Sequence, residues 1–475
     1  MDKSYEAVMA RKNSIMKSSV GIDYSEFEKD GIAFDYEELM SKTAPGISEI
    51  AEIQKEAGVG GTPLVELKNI SSLVRSHARK GYGARIFVKD EAASLSGSFK
   101  DRRASLSMYV AKESGFEGVI AATSGNYGAA VASQAARRGL KCIVLQETFD
   151  SKGMGQPEIL EKGRACESYG AEVIQLSVGP ELFYYLLRLL EETGFFNASL
   201  YTPYGIAGVE TLGAEIVSQC REQLGRDPDH VVVTHAGGGN LTGTSRGLQK
   251  AGADRCKIIA ASVELTGLHM ASDNDFNRKS FTTGHTGFGV PFAVAPDRSD
   301  VPRNAARPLR YMDKYVLVTQ GEVFFATEIM ARLEGMQRGP AGSTSIAAAI
   351  ALARELPEDD VMVVQETEYT GAGKSPSAQL TFAKNQGIEV MRGDPQKLDK
   401  PGERIVIPEN FSQFSYTEIP MNRLRTSYLK RLLRDGKESF TDEEMHFLCE
   451  ELNADSRTIE GIIEEELCDG QSTKR

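Results

Sequence analysis

The stretch that decides the fold is Ser96-Gly97-Ser98-Phe99-Lys100-Asp101-Arg102. Residues 85–89 before it alternate as a strand does, and residues 104–112 after it have helical spacing, so Lys100 falls at the start of a helix. The positive potential of a helix N-terminus and partial removal from water both disfavour a protonated amine. Lys100 is therefore predicted to be a neutral amine nucleophile. By itself, the segment also fits an ordinary solvated lysine on a helix surface.

A second turn that could bind a ligand is Thr123-Ser124-Gly125-Asn126-Tyr127-Gly128. The apolar residues 118–122 before it predict a strand, and the small residues 129–138 after it predict a helix. Hydroxyls and free backbone amides at such a strand-to-helix turn form a site for an anion, for example a substrate carboxylate. The competing interpretation is a plain turn whose glycines serve only a backbone with positive φ.

The third turn, Gly237-Gly238-Gly239-Asn240-Leu241-Thr242-Gly243, follows a predicted strand at residues 230–234. Consecutive glycines allow backbone N–H groups to converge on a phosphate, with Thr242 starting the next helix. A dinucleotide-binding loop fits less well, because the spacing is not G-x-G-x-x-G and no acidic residue ends a following strand at the usual distance. A neutral lysine together with a phosphate site indicates pyridoxal 5'-phosphate (PLP) as the cofactor.

In this order the motifs resemble fold-type II PLP enzymes, such as threonine synthase, cysteine synthase and the serine/threonine dehydratases. Further resemblances are Lys89-x-Glu91, Gly61-Thr62-Pro63-Leu64, Pro203-Tyr204 with residues 208–211, Glu334-Gly335 with Pro340-Ala341-Gly342, and Thr370-Gly371-Ala372-Gly373. The resemblance implies an α/β fold of two open domains with mostly parallel sheets and PLP in the cleft between them. It implies a large PLP-binding domain at residues 1–104 and 201–400, a small α/β domain at 105–200, and a mostly helical, acidic C-terminal extension at 401–475.

The resemblance also implies a role for each motif residue. Lys100 would carry PLP covalently and then move protons, while Asn126 would contact the ring oxygen and Thr370 the ring nitrogen. A hydroxyl at that nitrogen leaves it largely unprotonated, which favours chemistry at the β or γ carbon. The remaining assignments are the phosphate ligands Gly237, Gly238, Gly239, Asn240 and Thr242, and the substrate-carboxylate ligands Ser124, Gly125 and Tyr127.

Two departures from the general pattern of these enzymes bear on the reaction. Ser94-Leu95-Ser96 stands where relatives usually carry Asn-Pro-Thr, and Gly339 stands where several carry glutamate. Over its whole length, the chain is most similar to the β subunits of 2-amino-4-oxopentanoate thiolases. That similarity implies cleavage of 2-amino-4-oxopentanoate by coenzyme A to alanine and acetyl-CoA in ornithine breakdown, with a small α subunit as partner and a homodimer of this chain.

Three other functions stay open at this point. A replacement or elimination lyase like threonine synthase or cysteine synthase has the same motifs, although both departures count against it. A sensor that binds an amino acid without catalysis would not need to retain Lys100 with every phosphate-loop residue. A nucleotide-binding dehydrogenase would bind no PLP.

Composition and charge exclude several classes of protein. The formal net charge of −12 argues against nonspecific nucleic-acid binding. No apolar run approaches the ~20 residues of a membrane span, and the charged N-terminus lacks the apolar core of a signal peptide, so we expect a cytoplasmic enzyme. The six cysteines include no C-x-x-C pair and the histidines no H-x-x-x-H, which predicts reduced cysteines and gives no argument for a metal site.

An acidic tail begins at Thr441, after a basic stretch at residues 423–437. Thr441 with Glu444 three residues later predicts a helix N-terminus, and the helix should run through Leu452. We expect two or three helices outside the catalytic core. They either pack on the body of the chain or form a docking surface for another subunit.

Overall fold

The computed structural model of the 475-residue chain describes residues 2–123, 125–149, 153–177, 181–265, 303–434, 437 and 439–472. Within these residues the helices are α1 Tyr5–Ala10, α2 Lys12–Val20, α3 Tyr36–Thr43, α4 Ile47–Glu56, α5 Lys68–Ser76, α6 Lys100–Glu113, α7 Asn126–Arg138, α8 Pro157–Ser168, α9 Glu181–Thr193, α10 Pro203–Leu224, α11 Gly239–Lys250, α12 Gln320–Glu334, α13 Pro340–Ala353, α14 Pro376–Asn385, α15 Pro395–Leu398, α16 Met421–Arg434, α17 Asp442–Glu451 and α18 Ser456–Ser472. The strands are β1 Leu64–Glu66, β2 Arg85–Asp90, β3 Gly118–Thr123, β4 Lys141–Phe149, β5 Glu172–Ser177, β6 Phe196–Asn197, β7 His230–Thr234, β8 Lys257–Val263, β9 Lys314–Val318, β10 Val361–Glu366, β11 Glu389–Gly393, β12 Arg404–Pro408 and β13 Thr417–Ile419.

Two open sheets carry the architecture. The larger sheet has the order β1-β2-β10-β7-β8-β9-β13, and its inner neighbours are parallel, whereas the edge strands β1 and β13 are antiparallel. The smaller sheet, β5-β4-β3-β6, is parallel throughout and lies between residues 118 and 197. The predicted α/β fold with mostly parallel sheets is therefore confirmed.

The large sheet is buried on both faces, which explains why the sequences of its inner strands are mostly continuous runs of apolar residues. On one face, strand residues such as Val232 and Val364 pack against α13, whose alanines from position 347 onward are buried. Small side chains on α13 let the helix approach the sheet closely. On the other face, residues such as Val231 and Val363 pack against helices α6, α10 and α11. The N-termini of α6, α11 and α13 thus converge on the carboxyl edge of the sheet.

The C-terminal residues contain strands as well as helices. Strand β12 pairs with β11 in a two-stranded parallel sheet, and β13 pairs with the edge strand β9 of the large sheet. Three helices follow, α16 to α18. The predicted N-terminus of α17 is confirmed, because Thr441 and Glu444 form a reciprocal capping box and the helix ends before Leu452.

The tail helices pack on the body of the chain. Leu424, Leu448 and Ile459 are fully buried in the main hydrophobic core. The Glu451 carboxylate, also buried, pairs with Arg307 at 3.0 Å and Arg310 at 2.7 Å. Of the two interpretations of the tail, the structure supports packing on the chain itself.

Candidate active site

A buried polar network fixes the start of α6. Arg102 pairs with Glu91 at 2.8 Å, with both side chains fully buried, and with Glu215 at 2.8 Å. Lys89 reaches the same Glu215 carboxylate at 2.8 Å, and the Thr62 hydroxyl donates to Glu91 at 2.5 Å. Burial would raise the pKa of Glu215, but Arg102 and Lys89 hold it at about 2. The motif residues Lys89, Glu91 and Arg102 therefore act by positioning α6 against β2 and α10.

The turn before Lys100 is paired with the loop after β10. Segments 97–99 and 367–369 exchange two backbone hydrogen bonds, of 2.7 and 3.2 Å. Gly97 has a φ of +76°, and a Cβ there would lie 2.3 Å from the ring of the tyrosine opposite it. Only glycine fits this position without strain. The pairing brings Lys100 and Glu368 into the same cleft.

Lys100 begins helix α6 and is partly buried. Burial, together with the nearby cations Arg103 and Lys162, lowers the pKa of its amine to about 7, against the opposing effect of Glu368. About half of the Lys100 side chains would then be neutral at pH 7. A neutral amine at the edge of the sheet can act as a nucleophile and as a base.

Asn126, the first residue of α7, belongs to a buried charged cluster. Lys374 pairs with Glu368 at 2.6 Å, and both side chains are fully buried. Asn126 joins both, because its Oδ1 accepts from Lys374 at 2.9 Å and its Nδ2 donates to Glu368 at 2.5 Å. The Lys374 ammonium keeps the pKa of Glu368 below its usual range, although burial alone would raise it. A second pair of the same kind, Lys162 with Glu158, lies on α8.

Sequence reasoning missed this charged cluster. The available signal was Glu366 at the end of the apolar strand β10 and Glu368 two residues later, followed by Lys374 at the end of the glycine-rich turn. Carboxylates at the carboxyl end of a buried parallel strand point to a functional site.

The Gly339 departure has a structural explanation. A Cβ built on Gly339 would lie 2.5 Å from the Glu368 Oε1 atom and 2.7 Å from the backbone oxygen of Tyr369. The same Glu368 oxygen accepts a hydrogen bond from the backbone N–H of Ala341 at 3.2 Å. A glutamate at position 339 would therefore need the space that Glu368 fills, so residue 368 supplies the carboxylate at this place.

The glycine turn after β7 forms the N-terminus of α11. Gly238 has a φ of +79°, and the helix begins at Gly239 rather than at Thr242, where the sequence predicted its start. That prediction was wrong because the left-handed Gly238 already turns the chain into the helix. The Thr242 N–H donates to the Gly238 oxygen at 3.0 Å, as the first bond of the helix. The amides of residues 239–241 precede that bond and are available to an anion.

The polar side chains of this turn are engaged within the protein. Thr242 Oγ1 donates to the Gly238 oxygen at 2.9 Å and accepts from the backbone N–H of Arg307 at 3.0 Å. Asn240 Nδ2 donates to the Gln365 side chain at 2.7 Å. Asn240 and Thr242 thus shape the turn through their side chains, and their direct contact with a phosphate stays a prediction.

The other predicted ligands differ in their surroundings. Ser124 lies outside the described residues. The Gly125 N–H donates to the Thr123 hydroxyl at 3.1 Å, and Tyr127 is buried in the main core. Thr370 is partly buried, whereas the hydroxyl residue directly after β10 is Thr367, which is buried. Thr367 is thus a second hydroxyl residue near the carboxyl edge of the sheet, and the contact of Thr370 with the ring nitrogen stays a prediction.

These features fit PLP. The helix N-terminus at Gly239 offers amides for a phosphate, the guanidinium of Arg103 lies beside it, and Lys100 offers an amine with a lowered pKa. A Cβ on Gly237, Gly238 or Gly239 would lie within 3.1 Å of a neighbouring side chain, so glycine is needed for the close packing of this turn.

Comparison with known proteins agrees with this site. The family model described as pyridoxal-phosphate dependent enzyme matches residues 55–368, and the chain belongs to this family of PLP enzymes. The chain is 63% identical over 463 residues to a 2-amino-4-ketopentanoate thiolase beta subunit from an unknown prokaryotic organism, covering 97% of this chain and 98% of the relative. It is 58% identical to a protein of the same name from Acetoanaerobium sticklandii, covering 98% of this chain and 99% of that protein.

More distant similarities follow the same fold. A threonine synthase from Methanocaldococcus jannaschii is 29% identical, covering 74% of this chain and 87% of the relative. The crystal structure of O-ureido-L-serine synthase matches with a TM-score of 0.51 and 21% identity, covering 67% of this chain and 91% of that chain. At this identity the structural match supports the fold alone.

Two negative findings concern only the described part of the chain. None of its helices is long and apolar enough to cross a membrane. No group of three or more His, Cys, Asp or Glu residues in it could hold a metal ion.

Proposed function

We propose that this chain is the catalytic β subunit of a 2-amino-4-oxopentanoate thiolase. The observation that carries the proposal is the 63% and 58% identity, over almost the full length of both partners, to two proteins named as such subunits. In the proposed reaction, the thiol of coenzyme A adds to C4 of the substrate and the C3–C4 bond breaks. The acetyl group leaves on sulfur as acetyl-CoA, and C3 takes up a proton to become the methyl group of alanine.

PLP, when bound, supplies an electron sink for negative charge that develops on the amino-acid carbons. Lys100 holds the cofactor and, as an amine with a pKa of about 7, takes a proton from Cα and returns one at the end of the reaction. The amides of residues 239–241 bind the phosphate, and Asn126 orients the ring through its side chain. Arg102 and its carboxylate partners keep the Lys100 backbone in place.

The charged cluster beside Lys100 suits cleavage at C4. Addition of a thiol to a ketone places negative charge on its oxygen, and preorganised cations stabilise such charge most strongly where water is excluded. Lys374 is fully buried and fixed by Glu368 at 2.6 Å. We propose that Lys374 faces the C4 oxygen and that Glu368 holds the ammonium in this position.

The burial of three cysteines favours direct transfer of the acetyl group to coenzyme A. Burial raises the pKa of Cys142, Cys166 and Cys220 to about 12, which makes these thiols poor nucleophiles at neutral pH. The five cysteines with described environments form no disulfide with one another, and their reduced state stays a prediction. Cys142, Cys166 and Cys220 are therefore not candidates for an acetyl-cysteine step.

The partner and the compartment belong to the same proposal. Because the similar proteins are named beta subunits, we propose a small α subunit as partner, together with a homodimer of this chain in the cytoplasm. A replacement or elimination lyase is the second candidate, since threonine synthases are also among the relatives.

Product analysis with the purified chain tests the proposal. We expect alanine and acetyl-CoA from 2-amino-4-oxopentanoate and coenzyme A, with the small α subunit present. Lys100→Ala should abolish both products, and Lys112→Ala, on the exposed surface of the same helix, should leave them unchanged. Release of ammonia and a 2-oxo acid from hydroxy amino acids, without any acetyl-CoA, would instead establish the lyase.

A further inference from the structure

Arg103 is a buried cation without a counter-ion in the described structure. Its side chain is 2% exposed. The Nη1 atom donates to the backbone oxygen of Leu200 at 3.2 Å, the guanidinium lies 5.5 Å from the centre of the Phe99 ring, and Nε has no hydrogen-bond partner. Among the residues that the structure describes, no carboxylate forms an ion pair with it. Burial lowers the pKa of Arg103 to about 10.

A buried guanidinium without a carboxylate partner is expected to bind an anion. Removing a charged group from water without a partner is costly, and proteins compensate for it by pairing the charge. The contrast with Arg102 is direct, because that neighbour is equally buried and has two carboxylate partners at 2.8 Å. Arg103 offers the geometry of an anion site that no described carboxylate fills.

The position of Arg103 identifies the anion. Arg103 lies three residues after Lys100 on α6, so both side chains leave the same face of the helix. A Cβ built on Gly239 would lie 2.5 Å from Arg103 Nη2 and 2.9 Å from Nη1. The guanidinium therefore packs against Gly239, the first residue of α11, beside the backbone amides of residues 239–241.

We propose that Arg103 binds the phosphate group of PLP as a charged side-chain ligand that complements the backbone amides of the glycine turn. A guanidinium binds phosphate oxygens with two parallel N–H donors and stays protonated at neutral pH. The inference depends on PLP binding, which family membership shows, and not on the thiolase reaction. The substrate carboxylate is the other anion that enters this cleft, and the test separates the two.

The test compares PLP with pyridoxal, which has the same ring and aldehyde but no phosphate. The apoprotein would be titrated with each compound, in the absence of substrate, by following cofactor absorbance. We expect Arg103→Met to weaken PLP binding by about 30-fold or more, as for loss of a charge-assisted hydrogen bond, and to change pyridoxal binding by less than about 3-fold. Arg103→Lys should give an intermediate loss, and Arg137→Met, at the exposed end of α7, should change neither.

The melting temperature of the apoprotein distinguishes binding from a structural role. Because Arg103→Met removes an uncompensated buried charge, the apo form should melt at the same or a higher temperature than wild type. Saturating PLP should then raise the melting temperature less in the variant. If Arg103→Met does not fold, Arg103→Gln serves the same comparison.

Two results would overturn the inference. One is PLP affinity within about 3-fold of wild type in both Arg103→Met and Arg103→Gln. The other is an equal loss of PLP and pyridoxal binding, which would mean that Arg103 supports the ring or the fold and not the phosphate.

Discussion

Removing the amine of Lys100 should stabilise the apoprotein at neutral pH. The pKa of Lys100 is about 7 in the folded chain, against 10.5 for an ordinary lysine. The unfolded chain therefore binds more protons than the folded chain between these two values, and wild-type stability rises with pH across this window. Well below pH 7, the folded state carries the full cost of the charged, buried amine, and at pH 7 it carries most of it.

The size of this cost follows from the shift. The difference of 10.5 − 7 = 3.5 pK units corresponds to at most about 5 kcal/mol, at roughly 1.4 kcal/mol per unit. Because Lys100 is only partly buried and water screens its charge, we expect only about 2–3 kcal/mol of this cost in the measured free energy of unfolding. Lys100→Met should thus raise the free energy of unfolding by that amount at pH 7, and by less than about 1 kcal/mol at pH 9.5.

Urea unfolding of the apoprotein at both pH values is the assay. Lys112→Met, on the exposed surface of the same helix, is the control and should change the free energy of unfolding little at either pH. Equal stability of wild type and Lys100→Met at pH 7 would refute a lowered pKa. A gain that is the same at pH 7 and pH 9.5 would show that methionine merely packs better.

Three further predictions concern the surroundings of the site. Lys374→Met should lower the free energy of unfolding by about 3–5 kcal/mol, because it leaves the buried Glu368 carboxylate without its cation. In urea unfolding, the double variant with Glu368→Gln should recover most of this loss. No recovery would contradict the pairing. Gly339→Ala should lower the free energy of unfolding by about 1–3 kcal/mol, because the added methyl group would contact Glu368. The same urea unfolding assay measures this loss. A neutral effect would mean that this carboxylate moves freely. Glu451→Gln should cost about 3–5 kcal/mol by removing the buried carboxylate that Arg307 and Arg310 share, and limited proteolysis should then release the tail helices faster than in wild type. Unchanged protection of the tail would show that the ion pair does not hold it.

Local patterns allowed most of the fold to be predicted from the sequence. The strands of the large sheet are buried on both faces, so their apolar runs, such as residues 230–234, were visible without knowledge of the topology. The capping box of Thr441 and Glu444 is a signal carried by four consecutive residues, and it was found. The start of α11 was missed because a left-handed glycine, and not a hydroxyl residue, begins that helix.

Long-range partners could not be predicted in the same way. Asn126 and Lys374 are 248 residues apart in sequence, and only the pairing of segments 97–99 and 367–369 brings Glu368 to the cleft. In the sequence, Arg103 is one more basic residue after Lys100, and only the structure shows that its guanidinium contacts Gly239. In each case the residue type was visible, but its partner depends on how α6 and the loop after β10 meet.

Cleavage of the C3–C4 bond by coenzyme A is the central claim, and carbon labelling tests it most directly. The purified chain, with the small α subunit, would be given 2-amino-4-oxopentanoate that carries ¹³C at both C3 and C4. We predict that one label appears in the methyl carbon of alanine and the other in the acetyl carbonyl of acetyl-CoA, in equal amounts, and that Lys100→Ala forms neither product. Recovery of both labels still joined in a single product, with PLP bound and coenzyme A present, would contradict the account.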